Sequence, residues 1–139
     1  MYGIPERCKP LSSAEEQVLL ALWEKAPATR REVGQRLAGK GWADGTLLTF
    51  LGRLEAKGWV KVTREANRNV YTPAVTRRAY GVYCMRERLD TLFGGDLAAA
   101  VRALVSESGA GPSQLDQAEA VLEEMKARAE EYDSYDAFF

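Results

Sequence analysis

Residues 44–72 read DGTLLTFLGRLEAKGWVKVTREANRNVYT, and the apolar period changes partway through that stretch. From about Asp44 to Lys57, Leu47, Phe50, Leu51 and Leu54 recur at helical spacing and form one buried stripe. Gly58 stops the helix. Beyond it, Val60 and Val62 alternate with Lys61 and Thr63 in a β-rich run from Trp59 to Glu65. Ala66, Asn67 and Arg68 make a polar turn, and Asn69 to Thr72 is the returning strand, closed by Pro73. The stretch is therefore a helix followed by a β-hairpin whose tip carries Arg64 and Arg68.

Two shorter helices precede it. Ser12 with Glu15, and Thr29 with Glu32, have the spacing of capping boxes, in which each side chain satisfies a free backbone N–H at a helix start. Val18, Leu19, Leu22 and Trp23 share one face of the first helix, which Pro27 ends. The second turns Val33 and Leu37 inward and Arg30, Arg31, Gln35 and Arg36 outward, until Gly39 and Gly41 break it. Downstream, Val82, Met85, Leu89 and Leu92 repeat through Thr76–Phe93, and Gly94-Gly95 interrupts. Leu97, Val101, Leu104 and Val105 mark another short helix. Pro112-Ser113 starts the last one, where Leu115, Ala118, Leu122, Met125, Ala129 and Tyr132 follow a heptad seam.

These elements predict a mainly α fold with a small β-hairpin wing (α+β). A winged helix-turn-helix domain spans residues 1–75 and a helical dimerisation domain spans 76–132. Residues 133–139 are acidic and aromatic and are expected to fray. Three short amphipathic helices do not readily enclose a core alone, so their apolar residues are expected to meet a second copy of the chain. The expected homodimer contacts are Val82, Met85, Leu89, Leu92, Leu97, Val101, Leu104, Leu115, Leu122 and Met125.

Composition narrows the function. The chain has 139 residues, 46% hydrophobic and 28% charged, which suits a folded globular protein. No apolar run approaches the ~20 residues a bilayer requires, and Met1–Pro10 has no apolar core of a secretory signal, so a cytoplasmic protein without membrane insertion is expected. Cys8 and Cys84 are too few for a disulfide framework or a four-cysteine zinc site, and histidine is absent. No cofactor and no metal site are expected. Without a nucleophile motif, a phosphate loop or clustered carboxylates, no catalytic residue is assigned and an enzyme is not expected. Residues 1–80 hold 14 Lys/Arg and 8 Asp/Glu, a balance of +6, whereas residues 81–139 hold 5 and 12, a balance of −7. A basic front half suits a polyanion, and the acidic back half would be repelled by one.

In a winged helix the third helix enters the major groove and the hairpin touches backbone nearby. Arg30, Arg31, Lys61, Arg64 and Arg68 are candidates for phosphate contact, which gives affinity and salt dependence. The outward face of helix 44–57 carries Gly45, Thr46, Leu48, Thr49, Gly52 and Arg53, and so has small and hydroxyl residues where a solvated helix usually has Lys and Glu. A threonine hydroxyl pairs with base edges or phosphate, its methyl packs on thymine, and arginine forks onto guanine. Leu48 would pack on thymine methyls, or else sit in a protein contact; Arg53 would alternatively pair with Glu55 or Glu32. With Thr29 added, the candidate DNA-binding set is Thr29, Arg30, Arg31, Gly45, Thr46, Leu48, Thr49, Arg53, Lys61, Arg64 and Arg68. The competing reading is a winged-helix protein-interaction module without specific DNA recognition.

Several stretches resemble the penicillinase-repressor family of transcriptional regulators (BlaI/MecI/CopY). Trp42, Thr46-Leu47, Thr49, Leu51, Arg53-Leu54 and Lys57-Gly58 resemble its recognition-helix region. Leu11 to Glu15, Leu22-Trp23, Ala28 to Val33, Tyr71-Thr72-Pro73 and Phe93 to Leu97 fall in the same order and cover about residues 11–125. The resemblance implies a homodimeric repressor bound to a palindromic double-stranded DNA operator, with a membrane sensor-protease as a further partner. The Asn-Phe bond that such a protease cuts in β-lactam-responsive members aligns near Ala103-Leu104, which has neither residue. Cys8 and Cys84 do not make the cysteine-rich motif of copper-responsive members. Gly45 and Gly52 replace larger polar residues common on the family's DNA face, and Cys84 lies in the first dimerisation helix.

Overall fold

Ser12 starts the first helix, α1 (Ser13–Glu24), in a computed structural model that describes residue 4 and residues 8–136. Its hydroxyl oxygen accepts from the Glu15 N–H at 3.2 Å. The reciprocal half of the expected capping box does not form. The Glu15 carboxylate, only 2% exposed, instead accepts from the Ser12 hydroxyl at 2.9 Å and from Lys57 Nζ at 2.8 and 2.7 Å. A buried carboxylate requires a countercharge, and the lysine that supplies it is 42 residues away.

After α1 come β1 (Ala28–Thr29), α2 (Arg30–Arg36), a 3-10 turn over Ala38–Lys40, α3 (Asp44–Ala56), β2 (Val60–Glu65) and β3 (Arg68–Pro73). Neither β1 nor the 3-10 turn is expected from the sequence. Ala28 and Thr29 pair antiparallel with Tyr71 and Val70, giving a three-stranded sheet in the order β1-β3-β2. Thr29 is extended and caps α2 with both halves of a capping box, as its spacing predicts. The hairpin turn is tighter than expected. Only Ala66 and Asn67 lie between the strands, both at positive φ (48° and 63°), and Arg68 already pairs with Glu65. Two such residues form the hairpin turn whose twist matches its strands.

Val18, Leu19, Leu22, Val33, Leu51, Leu54 and Trp59 are fully buried and join α1, α2, α3 and the sheet in one core. Both buried-side indoles find acceptors: Trp59 Nε1 donates to the Lys9 carbonyl at 2.6 Å and Trp23 Nε1 to the Val75 carbonyl at 3.0 Å.

Thr76 caps α4 (Arg77–Phe93), its hydroxyl oxygen accepting from the Ala79 N–H at 3.0 Å. Tyr80 then enters the core, with its ring 5.2 Å from Trp59 and 5.6 Å from Trp23, and its hydroxyl donates to the Glu16 carboxylate. Burial, with Cys84 and Glu16 adjacent, pushes the Tyr80 hydroxyl far above its ordinary pKa. Because of this anchor the first compact unit does not stop at residue 75. It runs over residues 1–88, and the second covers 89–139.

The second unit begins in the last turn of α4. Gly94 and Gly95 take positive φ (59° and 79°), and the Gly95 N–H donates back to the Leu89 carbonyl at 3.1 Å. Asp96 caps α5 (Leu97–Ser108), and Gly109 closes it at φ 68°. After a short connection α6 (Pro112–Asp136) follows. The helix α6 includes residues 133–136 of the expected tail, and residues 137–139 lie outside the described residues.

Candidate nucleic-acid interface

Three buried leucines orient α3: Leu47, Leu51 and Leu54 turn into the core, at 3% exposure or less. Trp42 meets Phe50 edge-on, with ring centroids 5.0 Å apart, and braces the helix start. At the other end Gly58 turns at φ 86° and the Trp59 N–H donates to the Leu54 carbonyl at 2.9 Å. The buried Glu15–Lys57 pair ties this end of α3 to the start of α1. With both ends held, the opposite face has one orientation. Gly45, Thr46, Leu48, Thr49, Gly52 and Arg53 are all exposed on it.

The hydrogen bonds of that face change what its residues offer. The Thr49 hydroxyl donates to the Gly45 carbonyl at 3.0 Å, so its proton is already used within the helix. Gly45 and Gly52 are not small for internal reasons, because a Cβ at either position would meet nothing within 4 Å. Arg53 forms no ion pair with Glu55, Glu32 or any other described residue.

The cations divide into groups. Arg30 is engaged by Asp44 at 2.8 Å, which joins the starts of α2 and α3. Asp44 is the site residue that the sequence reading omits: it partly cancels the charge of Arg30 at the N-terminal end of α3. Arg36, expected to point outward, donates to the Ala21 carbonyl at 3.0 Å and the Lys25 carbonyl at 2.7 Å. It thereby covers orphan carbonyls at the end of α1. Thr29 spends its hydroxyl on the cap, with Oγ1 accepting from the Glu32 N–H at 3.2 Å and donating to Glu32 Oε1 at 3.0 Å. The backbone N–H of Thr29 is the main cause that holds the Glu32 carboxyl below its ordinary pKa.

On the wing, strand register separates the basic residues. Lys61 and Arg68 lie on one face of the sheet, with Arg68 directly across from Glu65. Arg64 takes the opposite face, where its guanidinium donates to the Asn67 carbonyl at 3.2 Å and to Asn69 Oδ1 at 3.4 Å. Arg31, Lys61 and Arg68 are exposed and make no ion pair among the described residues.

Of the expected homodimer contacts, Leu89 is half-buried and the other nine are exposed, with Met85 at 72%, Leu104 at 62% and Leu97 at 60%. Among the described residues of the second unit, only Ala100 is buried. No group of three or more His, Cys, Asp or Glu among the described residues is placed to hold a metal, and no described helix is long and apolar enough to cross a membrane.

The chain is similar to known proteins over most of its length. The family model described as penicillinase repressor matches residues 11–124. A penicillinase repressor of Bacillus licheniformis is 26% identical over 132 residues, covering 94% of this chain and all of that one. The solution structure of the DNA-binding domain of the repressor BlaI is 31% identical, with a TM-score of 0.46, over 50% of this chain and 87% of that one. The Bacillus licheniformis BlaI monomeric form in complex with the blaP half-operator is 30% identical, with the same TM-score of 0.46, over 52% and 89% respectively.

Proposed function

The chain belongs to the penicillinase repressor family, and on that premise we propose that it represses transcription as a cytoplasmic homodimer on a palindromic operator. It is a DNA-binding transcriptional regulator, and its family is not one of enzymes. In the proposed complex α3 enters the major groove of each half-site and the wing contacts the adjoining backbone. One observation carries this reading. The fully supported helix α3 leaves Arg53 uncommitted on a face of glycines, threonines and Leu48, in a unit that also exposes Arg31, Lys61 and Arg68. Phosphates take the last three, and a base edge takes Arg53.

Self-association follows from the second unit. A helical unit with only Ala100 buried has no core of its own among its described residues. Contiguous exposed apolar surface of this kind marks an association surface, and a second copy presents the same residues by two-fold symmetry. The acidic balance of residues 81–139 keeps this part away from the duplex. Ala103-Leu104 sits inside the helix α5 without the side chains of the bond that a membrane sensor-protease cuts in β-lactam-responsive members, so the proposed repressor offers no such bond there.

Selection of binding sites from random duplexes, followed by fluorescence anisotropy across a salt series, tests the reading. A palindrome is expected to be enriched, with affinity falling steeply as salt rises. Arg53→Ala is expected to weaken that palindrome by about 1–3 kcal/mol without changing its salt slope. Binding that is indifferent to sequence, or to Arg53, would overturn it.

A further inference from the structure

The exposed face of α3 has few hydrogen-bonding groups left for a base, and those it lacks are informative. Asp44, which would accept from a cytosine amine, is held by Arg30 at 2.8 Å. The Thr49 hydroxyl has donated its proton to the Gly45 carbonyl at 3.0 Å, which leaves a methyl and oxygen lone pairs. Leu48 is 46% exposed and has no polar atom in its side chain. Leu48 and Thr49 share the same two neighbours along the helix. Gly45 lies three and four residues before them, and Gly52 four and three residues after. Neither glycine has anything within 4 Å of where a Cβ would be. The leucine side chain and the threonine methyl therefore stand beside bare backbone at positions 45 and 52, with Thr46 and Arg53 as the flanking side chains of Thr49.

A base pair offers one apolar group in the major groove, the C5-methyl of thymine. We propose that Leu48 and the Thr49 methyl select thymine in each half-site by packing on that methyl. This rests on α3 lying in the major groove, as proposed above. Hydrogen-bond donation to a base is then left to Arg53 and Thr46, and the two glycines allow the approach that methyl contact needs. The leucine and the threonine act together, since a methyl is covered only when apolar atoms meet it on more than one side.

The test replaces thymines of the selected duplex by deoxyuridine, one position per half-site at a time. That change removes the methyl and leaves every hydrogen-bonding group in place. The full-length chain is expected to bind about fourfold more weakly per methyl lost at one or two positions, the effect of exposing one apolar carbon. Leu48→Ala and Thr49→Ser are expected to weaken the thymine duplex and to become indifferent to uracil there; Thr49→Ser keeps the hydroxyl bond to Gly45. Equal affinity for thymine and uracil at every position would overturn the proposal while specific binding survives. So would undiminished discrimination in both variants. If no duplex is preferred at all, the reading of α3 as a recognition helix falls as well, and that outcome is distinct from the other two.

Discussion

Residues 1–88 and 89–139 are both largely helical, but they bury their apolar residues very differently. In the first, Leu19, Leu22, Leu51, Leu54 and Trp59 are sealed from solvent, and the indoles of Trp23 and Trp59 and the buried Glu15 carboxylate have partners. In the second, Leu97 and Leu104 are more than half exposed and only Ala100 is buried among the described residues. Local helix propensity is not the difference, because Asp96 and Gly109 delimit α5 as cleanly as Thr29 begins α2. What differs is closure. A helix gains most of its stability from the face it packs, and three of the first unit's helices find that face within the same chain.

The contrast breaks most directly at α5. Leu97→Asp combined with Leu104→Asp is expected to weaken self-association on the order of a thousandfold or more, since each charge would be buried unpaired. Sedimentation velocity should show single chains at micromolar concentration, with the first unit still folded. A double variant that still sediments as a dimer would remove α5 from the interface.

Leu51→Ala probes the other side of the comparison. Truncating this fully buried leucine is expected to cost about 2–5 kcal/mol, through lost burial and the cavity left behind. Chemical denaturation should lower the midpoint of the first unit, while the oligomeric state below that midpoint stays the same. A smaller effect comes from the wing. Ala66 adopts φ 48°, which glycine reaches without Cβ strain, so Ala66→Gly is expected to raise stability by about 0.5–1 kcal/mol. A lower melting temperature in that variant would contradict the two-residue turn.

The smallest expected effect is acid dependence. The Glu32 carboxyl is held below its ordinary pKa, chiefly by the backbone N–H of Thr29. Its contribution is therefore present above the unfolded carboxylate pKa and is lost as pH falls through the lowered folded value. Glu32→Gln lacks this titration. The melting-temperature gap between the two proteins should close on acidification from about pH 6 to pH 3. A gap that stays constant would show that the cap does not depend on the charge.

The difference between the units also explains what was readable beforehand. Helix starts at Ser12 and Thr29, the stripe through Leu47, Leu51 and Leu54, and the change of period after Gly58 are local signals, and they place the elements correctly within a residue or two. The misses are long-range. Two residues of β1 exist only because Tyr71 and Val70 return beside them. Glu15 serves the lysine that caps the end of α3, Arg36 serves the carbonyls of α1, and Asp44 holds Arg30. The first unit extends to residue 88 because Tyr80 packs between Trp23 and Trp59. None of these leaves a trace in periodicity. On the exposed face of α3 the residue types are legible in the sequence, but the loss of the Thr49 proton to its own backbone is not.

Thr29 has a mechanical consequence. It is the last residue of β1 and also the cap of α2, and the next residue, Arg30, grips Asp44 at the start of α3. Strand, cap and ion pair thus run through two consecutive peptide units. The wing is joined through β3, β1 and the Arg30–Asp44 pair to the start of α3. In the proposed complex, a phosphate that pulled on the hairpin would tilt α3 with it, so that grip on the backbone and aim at the bases would work as a single lever.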